Sequence, residues 1–559
     1  MTRRFAPCLL AVLLATMAAL QTLVGADKIS RPKLILVLSI DQMRFEYLTR
    51  FGPLYKGGLR RLLDHGAVFS NARLRHGITD TGPGYAVIMT GHHPSQTGIV
   101  SDTWYDPDRK KVTFLVEDSG QSALGGQGGS YSPANLLGST LGDVLKEKSP
   151  QSRVVSVSLK ERGAVLMAGH RGDAAYWYEP LTGEFITSTY YMKSAPAWLE
   201  HWNRTRFPDR YADKDWMRLL PDEKVYLKYA GKDDIEGEWD RRDIRFPHSI
   251  RSNPPERRFY DDFRRTPFAD EMTVNFTLEA LKSHQLGNDD ATDILAVALG
   301  ATDVIGHTYG PDSQELMDQL IRLDVTLQKF FEEIDRTVGL SHTLVVLTSN
   351  HGVLPLVEML HAKGVDAQRA SPADLKAAAE HALQARFPTV QGLIAYYDPP
   401  NFYLDGPTIE KHHLSAESVE STLVTALMST GLVEAVYTRT QLTGQKKSTD
   451  PYLELYRNSF YDSRSPQLLV RLKKHIYLSD RLGGTGHGSP YDYDRHVPIV
   501  FMGQEIRPGR YQRACGPEDI APTLARLLGL DYGKEPDSRL LLEMLRQTNQ
   551  KGAIIGDKR

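Results

Sequence analysis

The chain has 559 residues, 41% of them hydrophobic and 24% charged, which is the composition of a globular protein with a large core and excludes a disordered or fibrous chain. A formal net charge of -2 excludes a whole-molecule field that gathers nucleic acid, so an anionic ligand has to be held locally.

Arg3 and Arg4, an apolar run from Leu9 to Leu20 and the small residues Val24-Gly25-Ala26 have the layout of a secretory signal over residues 1–26. An uncleaved anchor helix from Cys8 to Ala26 is the other reading of this segment. Either way the body is expected in the periplasm or outside the cell, with no membrane contact beyond the signal. Removal of Cys8 with the signal leaves Cys515 as the single cysteine, so no intramolecular disulfide can form and Cys515 reads as a structural thiol.

The first strand is read over Lys33 to Ile40 (KLILVLSI), a short apolar run that ends at Asp41. Further along, Thr81 precedes Gly82-Pro83-Gly84 and an apolar helix start, Tyr85 to Met89. A hydroxyl in such a turn faces free backbone N–H groups and the positive end of the helix dipole, which suits an anionic oxygen or phosphate; as a plain N-cap, Thr81 has a purely structural role. The Gly-rich LGGQGGS near Gly125 lacks a following Gly-Lys-Ser/Thr and reads as a loop. A second strand, Arg153 to Leu159 (RVVSVSL), ends at Lys160, and a third, Asp293 to Leu299 (DILAVAL), shortly precedes Asp303. Leu316, Leu320, Leu323, Leu327, Phe330 and Ile334 then recur at spacings of three or four, predicting one long amphipathic helix. A fourth strand starts at Thr343 and runs into Ser349, Asn350 and His351; a fifth covers Val497 to Met502. Strands alternating with helical patterns predict a sheet covered by helices, whose chemistry lies beyond the carboxyl ends of the strands. Two stretches of weaker periodicity, about 174–267 and 354–479, read as insertions capping the site or as solvated loops.

Metal-ligand residue types cluster at these strand ends and in one Gly-rich loop: Asp303 and His307 in ATDVIGHTYG, Asn350-His351, and His487 in GGTGHGSPYDYD, with Asp41 as a further carboxylate. Imidazole and carboxylate together suit Zn2+ and similar divalent ions, and a divalent ion activates a weak hydroxyl nucleophile such as Thr81.

Asp41, Thr81 in T-x-P-G, WYD at Trp104 to Asp106, SLKERG around Lys160 and Arg162, D-x-x-x-H at Asp303 and His307, S-N-H-G, T-G-H-G at His487 and EDIAPTLARLLGL stand in the same order as in the alkaline phosphatase superfamily. The sequence most resembles its phosphate-irrepressible, threonine-nucleophile single-domain alkaline phosphatases, among the type I phosphodiesterase/nucleotide pyrophosphatase-like proteins. The resemblance spans about Arg31 to Leu530. It implies an α/β fold, a three-layer αβα sandwich around a mostly parallel mixed sheet with inserted cap regions, over 31–530, followed by a C-terminal tail over 531–559. It also implies two Zn2+ or other divalent ions, one held by Asp303, His307 and His487 and the other by Asp41, His351, Thr81 and Asn350. Lys160 and Arg162 would grip the phosphoryl oxygens while Thr81 forms a phosphothreonine. That pair points to monoesters; sulfatase relatives require C/S-x-P-x-R, which does not occur here.

Two positions depart from the family pattern. Asn350 stands where the family has the aspartate of D-H-G, and Asp102 where it has a phosphate-contacting asparagine. Asn350 removes charge from the Asp41/Asn350/His351 metal site and weakens it. Asp102, in the substrate-binding region, adds a carboxylate where a phosphoryl group should sit; it either compensates for Asn350 as a metal ligand or points to solvent. The expected activity is that of a secreted metal-dependent phosphomonoesterase of small phosphate esters, with altered metal preference or low turnover. A phosphodiesterase/nucleotide pyrophosphatase and a catalytically weak homologue that binds a phosphorylated ligand are the alternatives. No nucleic acid partner is expected, and oligomeric state has no signature in the sequence.

Overall fold

In the computed structural model the described residues are 31–239, 244–252, 254–444, 448–533, 535 and 538–546; the signal reading for residues 1–26 lies outside them. Ten strands form one sheet: β1 (Leu34–Ile40), β2 (Ala67–Phe69), β3 (Ala123–Leu124), β4 (Val154–Ser158), β5 (Ala174–Glu179), β6 (Glu184–Ser188), β7 (Asp293–Leu299), β8 (Thr343–Thr348), β9 (Ile499–Met502) and β10 (Gly509–Tyr511). Their order across the sheet is β10-β2-β9-β8-β1-β7-β4-β5-β6-β3. The central strands from β8 to β5 are parallel, while β9 and β6 run antiparallel to their neighbours.

Alternate residues of the central strands point into two separate cores, which is why these strands read as unbroken apolar runs. Leu34, Leu36, Leu38 and Ile40 of β1 join one core, with α3 (Phe268–Ser283), α4 (Ala301–Tyr309) and α5 (Gln314–Thr337). Ile35 and Val37 join the other, with α1 (Thr81–Thr90), α2 (Glu161–Ala168) and α6 (Ile520–Leu528). The molecule is thus a three-layer αβα sandwich around a mixed sheet, as expected. The predicted long helix is α5, whose Leu316, Leu320, Leu323, Leu327, Phe330 and Ile334 all lie in the first core.

The stretch assigned to the first insertion opens as two strands of the main sheet, β5 and β6. Its aromatic residues then pack on the first core; Phe185 stacks on Phe276 at 3.9 Å, and Trp198 and Trp202 meet the same ring. The second insertion builds its own antiparallel sheet, ordered Ile394–Asp398, Asn401–Leu404, Leu468–Leu472, Val433–Thr438, under the helices Pro372–Arg386 and Ala416–Ser429. Described residues beyond 531 also pack down: Tyr532 donates to Thr90 O at 2.8 Å, and Leu541 and Met544 are buried in the second core. Cys515 is a free, buried thiol, pushed up to about 12 mainly by burial.

Candidate active site

Strand register creates the site. Ile40 lies opposite Leu299, Ser39 opposite Thr348, and Ala298 opposite Ser158, so β1, β7, β8 and β4 end level with one another. The residues that follow, Asp41, Lys160, Asp303 and Ser349-Asn350-His351, therefore emerge along one edge. His351 and Asn350 are fully buried there, Asp303 is 3% exposed and Lys160 6%. The Ser349 hydroxyl fixes the end of β8 by accepting from Met43 N–H at 2.9 Å and donating to His351 O at 2.8 Å.

Thr81 arrives from the opposite layer as the first residue of α1, and Asp80 is the N-cap. The segment leading to it is clamped by the helix Pro451–Ser459 of the second insertion. Gly77 N–H and Ile78 N–H donate to Ser459 Oγ at 2.8 and 3.1 Å, and Asn458 donates to Arg75 O at 2.7 Å. Thr81 Oγ ends 3.1 Å from His351 Nε2.

Two carboxylates and three imidazoles face one another. Lys160 Nζ donates to Asp41 Oδ2 at 2.6 Å and to Asp303 Oδ2 at 2.5 Å. Asp303 Oδ1 lies 3.2 Å from His307 Nε2 and 3.9 Å from His487 Nε2; Asp41 Oδ1 lies 3.2 Å from His351 Nε2. Burial alone would raise both carboxyl groups. For Asp303 the Lys160 and His307 charges outweigh it, and for Asp41 the Lys160 charge and His351 outweigh burial and Asp303, so both are held well below the usual carboxylate range. In His351 burial favours the neutral ring, but the hydrogen bond and charge of Asp41 outweigh it and raise its pKa. Burial, then the His351 and His307 charges, lower that of His487.

Whether these residues suit metal ions can be read from the imidazole orientations. His307 Nδ1 faces Thr485 O at 2.7 Å, His487 Nδ1 faces Thr79 O at 2.8 Å and His351 Nδ1 faces Gly352 O at 2.9 Å. Each carbonyl takes an Nδ1–H donor and so turns Nε2 inward, as hydrogen bonds to the far ring nitrogen orient metal-binding histidines. Asp303, His307 and His487 form one triad and Asp41, Asp303 and His351 another, with ligand atoms within 4.8 Å of one another in each. Asp303 belongs to both. This donor set of carboxylates and imidazoles fits divalent metal.

The two departures lie beside this constellation. Asn350 Nδ2 donates to Asp41 Oδ1 at 2.7 Å, and its Oδ1 receives Gln42 N–H at 3.4 Å. Asp102 belongs to neither triad: its Oδ1 accepts from Gly82 N–H at 2.7 Å and its Oδ2 lies 3.0 Å from Arg162 Nε. Arg162, which also pairs with Glu161 Oε1 at 3.0 Å, stands in the first turn of α2, next to Lys160.

The type I phosphodiesterase / nucleotide pyrophosphatase family matches residues 35–495 of this chain. The chain belongs to that family. It is 31% identical over 539 residues to the alkaline phosphatase PhoV of Synechococcus elongatus, covering 95% of this chain and 96% of that one. It is 32% identical over 524 residues to the alkaline phosphatase PafA of Elizabethkingia meningoseptica, covering 91% and 94%. The crystal structure of wild-type PafA superposes with a TM-score of 0.87 at 30% identity, covering 93% of this chain and all of that one. A murine ectonucleotide pyrophosphatase/phosphodiesterase 5, at 12% identity and a TM-score of 0.52, shares the fold. This member of the family is a hydrolase acting on phosphoric esters, and its Asp41, Asp303, His307, His351 and His487 form groups that could hold a metal ion. Among the described residues no helix is long and apolar enough to cross a membrane.

Sequence reasoning missed Gln42. Its Nε2 donates to Asp303 Oδ1 at 2.9 Å, and its backbone takes the left-handed conformation, φ 66°. Gly306 leaves room for it, since a Cβ there would lie 1.9 Å from Gln42 Oε1. Asp80 was missed as well: burial and the nearby Asp102 charge push its carboxyl up to about 6, and it accepts from Ser101 Oγ at 2.6 Å. Neither residue carries a local motif; each acquires its setting from segments distant in sequence.

Proposed function

We propose that the protein is a secreted phosphomonoesterase in which Thr81 attacks phosphorus and carries the phosphoryl group as a phosphothreonine, while Lys160 and Arg162 receive the phosphoryl oxygens. The observation that carries this reading is the convergence on one buried edge of a hydroxyl at a helix N-terminus and two cations from the turn after β4. Thr81 Oγ is fixed by α1 and by its 3.1 Å approach to His351; Lys160 is fixed by β4, whose Ser158 Oγ accepts its N–H at 2.9 Å. Divalent ions at the two triads would neutralise charge on the attacking and leaving oxygens of an in-line displacement. Asp41 and Asp303 take two of the three donors of the Lys160 ammonium, which leaves the third for a phosphoryl oxygen. Arg162 is already paired with Asp102, so an incoming phosphate competes with that carboxylate, which supports modest turnover. The same pairing favours the weak, ligand-binding homologue as the second reading.

The test is hydrolysis of an aryl phosphate monoester by protein reloaded with Zn2+, compared with the matching diester and with Thr81→Ala. We expect monoester turnover that Thr81→Ala abolishes and a kcat/KM preference for the monoester over the diester. Binding of inorganic phosphate without turnover at any divalent metal would favour the second reading; a diester preference would select the phosphodiesterase.

A further inference from the structure

The second insertion builds a cleft against the loop that carries His487. The hairpin of Ile394–Asp398 and Asn401–Leu404 bears Pro399 and Pro400 at its tip, and the short strand Ile476–Leu478 pairs with Gln368–Ala370. Both prolines, the three residues of that strand and the loop Gly486–Ser489 line one cleft of 140 Å3, with Lys473 at its edge. Pro399 and Lys473 are exposed and Pro400, Ile476, Tyr477 and Leu478 half-buried, so the cleft opens to solvent.

The floor of the cleft is part of the active centre. His487 belongs to the triad with Asp303 and His307, and its ring stacks on that of His351 at 3.6 Å. Thr79, two residues before Thr81, accepts Gly488 N–H at 3.2 Å and donates to Ser489 O at 2.9 Å. Tyr477 is fixed against the same loop: a Cβ on Gly486 would lie 2.8 Å from Tyr477 Cε2 and 3.1 Å from its Oη, so the missing side chain is what lets the ring approach. Arg369 lies 5.1 Å over that ring and is itself held, pairing with Glu358 at 2.8 Å and donating to Gly484 O at 2.9 Å. A rigid aromatic wall next to His487 therefore needs little ordering when a ligand arrives.

In an in-line displacement the leaving oxygen departs opposite the attacking one. Thr81 Oγ stands beside His351, so the leaving oxygen falls toward Asp303, His307 and His487, where the cleft begins. We propose that this cleft receives the leaving group of the ester and that Tyr477 selects one carrying a single apolar ring, as in aryl phosphate monoesters; the inference rests on the phosphomonoesterase reading above. Proline, isoleucine, leucine and tyrosine offer apolar walls, and the volume suits one ring: a cavity of about 150 Å3 holds benzene, whereas sites for larger ligands begin near roughly 300 Å3.

The experiment is calorimetric binding of two non-hydrolysable phosphonates to full-length protein reloaded with Zn2+. Methylphosphonate reports the phosphoryl site alone; benzylphosphonate, which replaces the ester oxygen of phenyl phosphate by a methylene, adds the ring. We expect wild type to bind benzylphosphonate about tenfold or more tighter, the gain from burying such a ring. Tyr477→Ala should remove most of that preference at unchanged methylphosphonate affinity, and Tyr477→Phe should keep it. Equal affinity of wild type for the two phosphonates, or an unchanged preference in folded Tyr477→Ala, overturns the cleft while leaving the phosphoryl site standing. Failure of wild type to bind methylphosphonate overturns the phosphoryl site and the cleft with it. Should Tyr477→Ala not fold, Ile476→Ala is expected to lose the same preference, and its retention there overturns the proposal.

Discussion

Asn350 decides the charge count of the candidate centre. Its amide donates to Asp41 Oδ1 and so satisfies a buried carboxylate that an aspartate at the same position would repel. Asn350→Asp is expected to lower the unfolding midpoint of the metal-free protein and to tighten Zn2+ binding by about 10- to 100-fold, the range of effects seen when groups around a metal are altered. Thermal scans with and without metal, together with competitive zinc titration, measure both arms; a variant with unchanged zinc affinity would remove Asn350 from the metal's surroundings. Asp102 acts on substrate instead, because it holds Arg162. Asp102→Asn frees part of that guanidinium charge and is expected to lower KM for a monoester more than for a diester, whose phosphoryl group carries less charge. Steady-state kinetics on both substrates checks this.

At the scale of elements, the site depends on how closely α1 approaches the end of β8. A Cβ on Gly84 would lie 2.2 Å from Asn350 O and 2.7 Å from Asn350 Cβ, contacts that no side-chain rotation relieves because the obstacle includes backbone. Gly84→Ala is expected to cost about 1–3 kcal/mol in urea unfolding through overpacking, and to reduce turnover by moving Thr81 away from His351. The sequence made these elements legible in proportion to how locally their cause is written. Leu34–Ile40, Asp293–Leu299 and Thr343–Thr348 stand out because both faces of each strand are buried; Asp41, Asp303 and His351 stand out because they follow those runs directly. Ala174–Glu179 falls inside the insertion reading because it is buried at every position, Glu179 included, and so shows neither alternation nor an unbroken aliphatic run, and Ala67–Phe69 and Gly509–Tyr511 are too short to register against their surroundings. Gln42 was illegible for another reason, since its role requires a left-handed backbone and partners more than 250 residues away.

Across the whole molecule, a net charge of -2 conceals two opposite populations of buried carboxyl groups. Asp41 and Asp303 are held below the usual range, chiefly because Lys160 outweighs burial. Their contribution to stability is present above the unfolded carboxylate pKa and is lost only as pH falls through their depressed values, so they are silent between pH 5 and 8. Asp494 behaves oppositely. It is fully buried, its Oδ2 accepts from Ser489 Oγ at 2.6 Å, and burial pushes it up to about 7. Asp270, which accepts from Ala301 N–H at 3.0 Å and Gln319 Nε2 at 2.7 Å, is likewise raised to about 7, mainly by burial. Between the unfolded carboxyl value and pH 7 the folded chain binds more protons at these positions than the unfolded chain, so stability falls as pH rises. The unfolding midpoint of the metal-free protein is therefore expected to drop from pH 5 to pH 8. Asp494→Asn should flatten that slope, because asparagine keeps an acceptor for Ser489 and has no proton to lose. Calorimetry of the metal-free wild type and variant over this window measures the difference; equal slopes would mean that Asp494 is ionised in the fold and that its charge is offset by groups closer than His351 and Arg44, the charges that lower it.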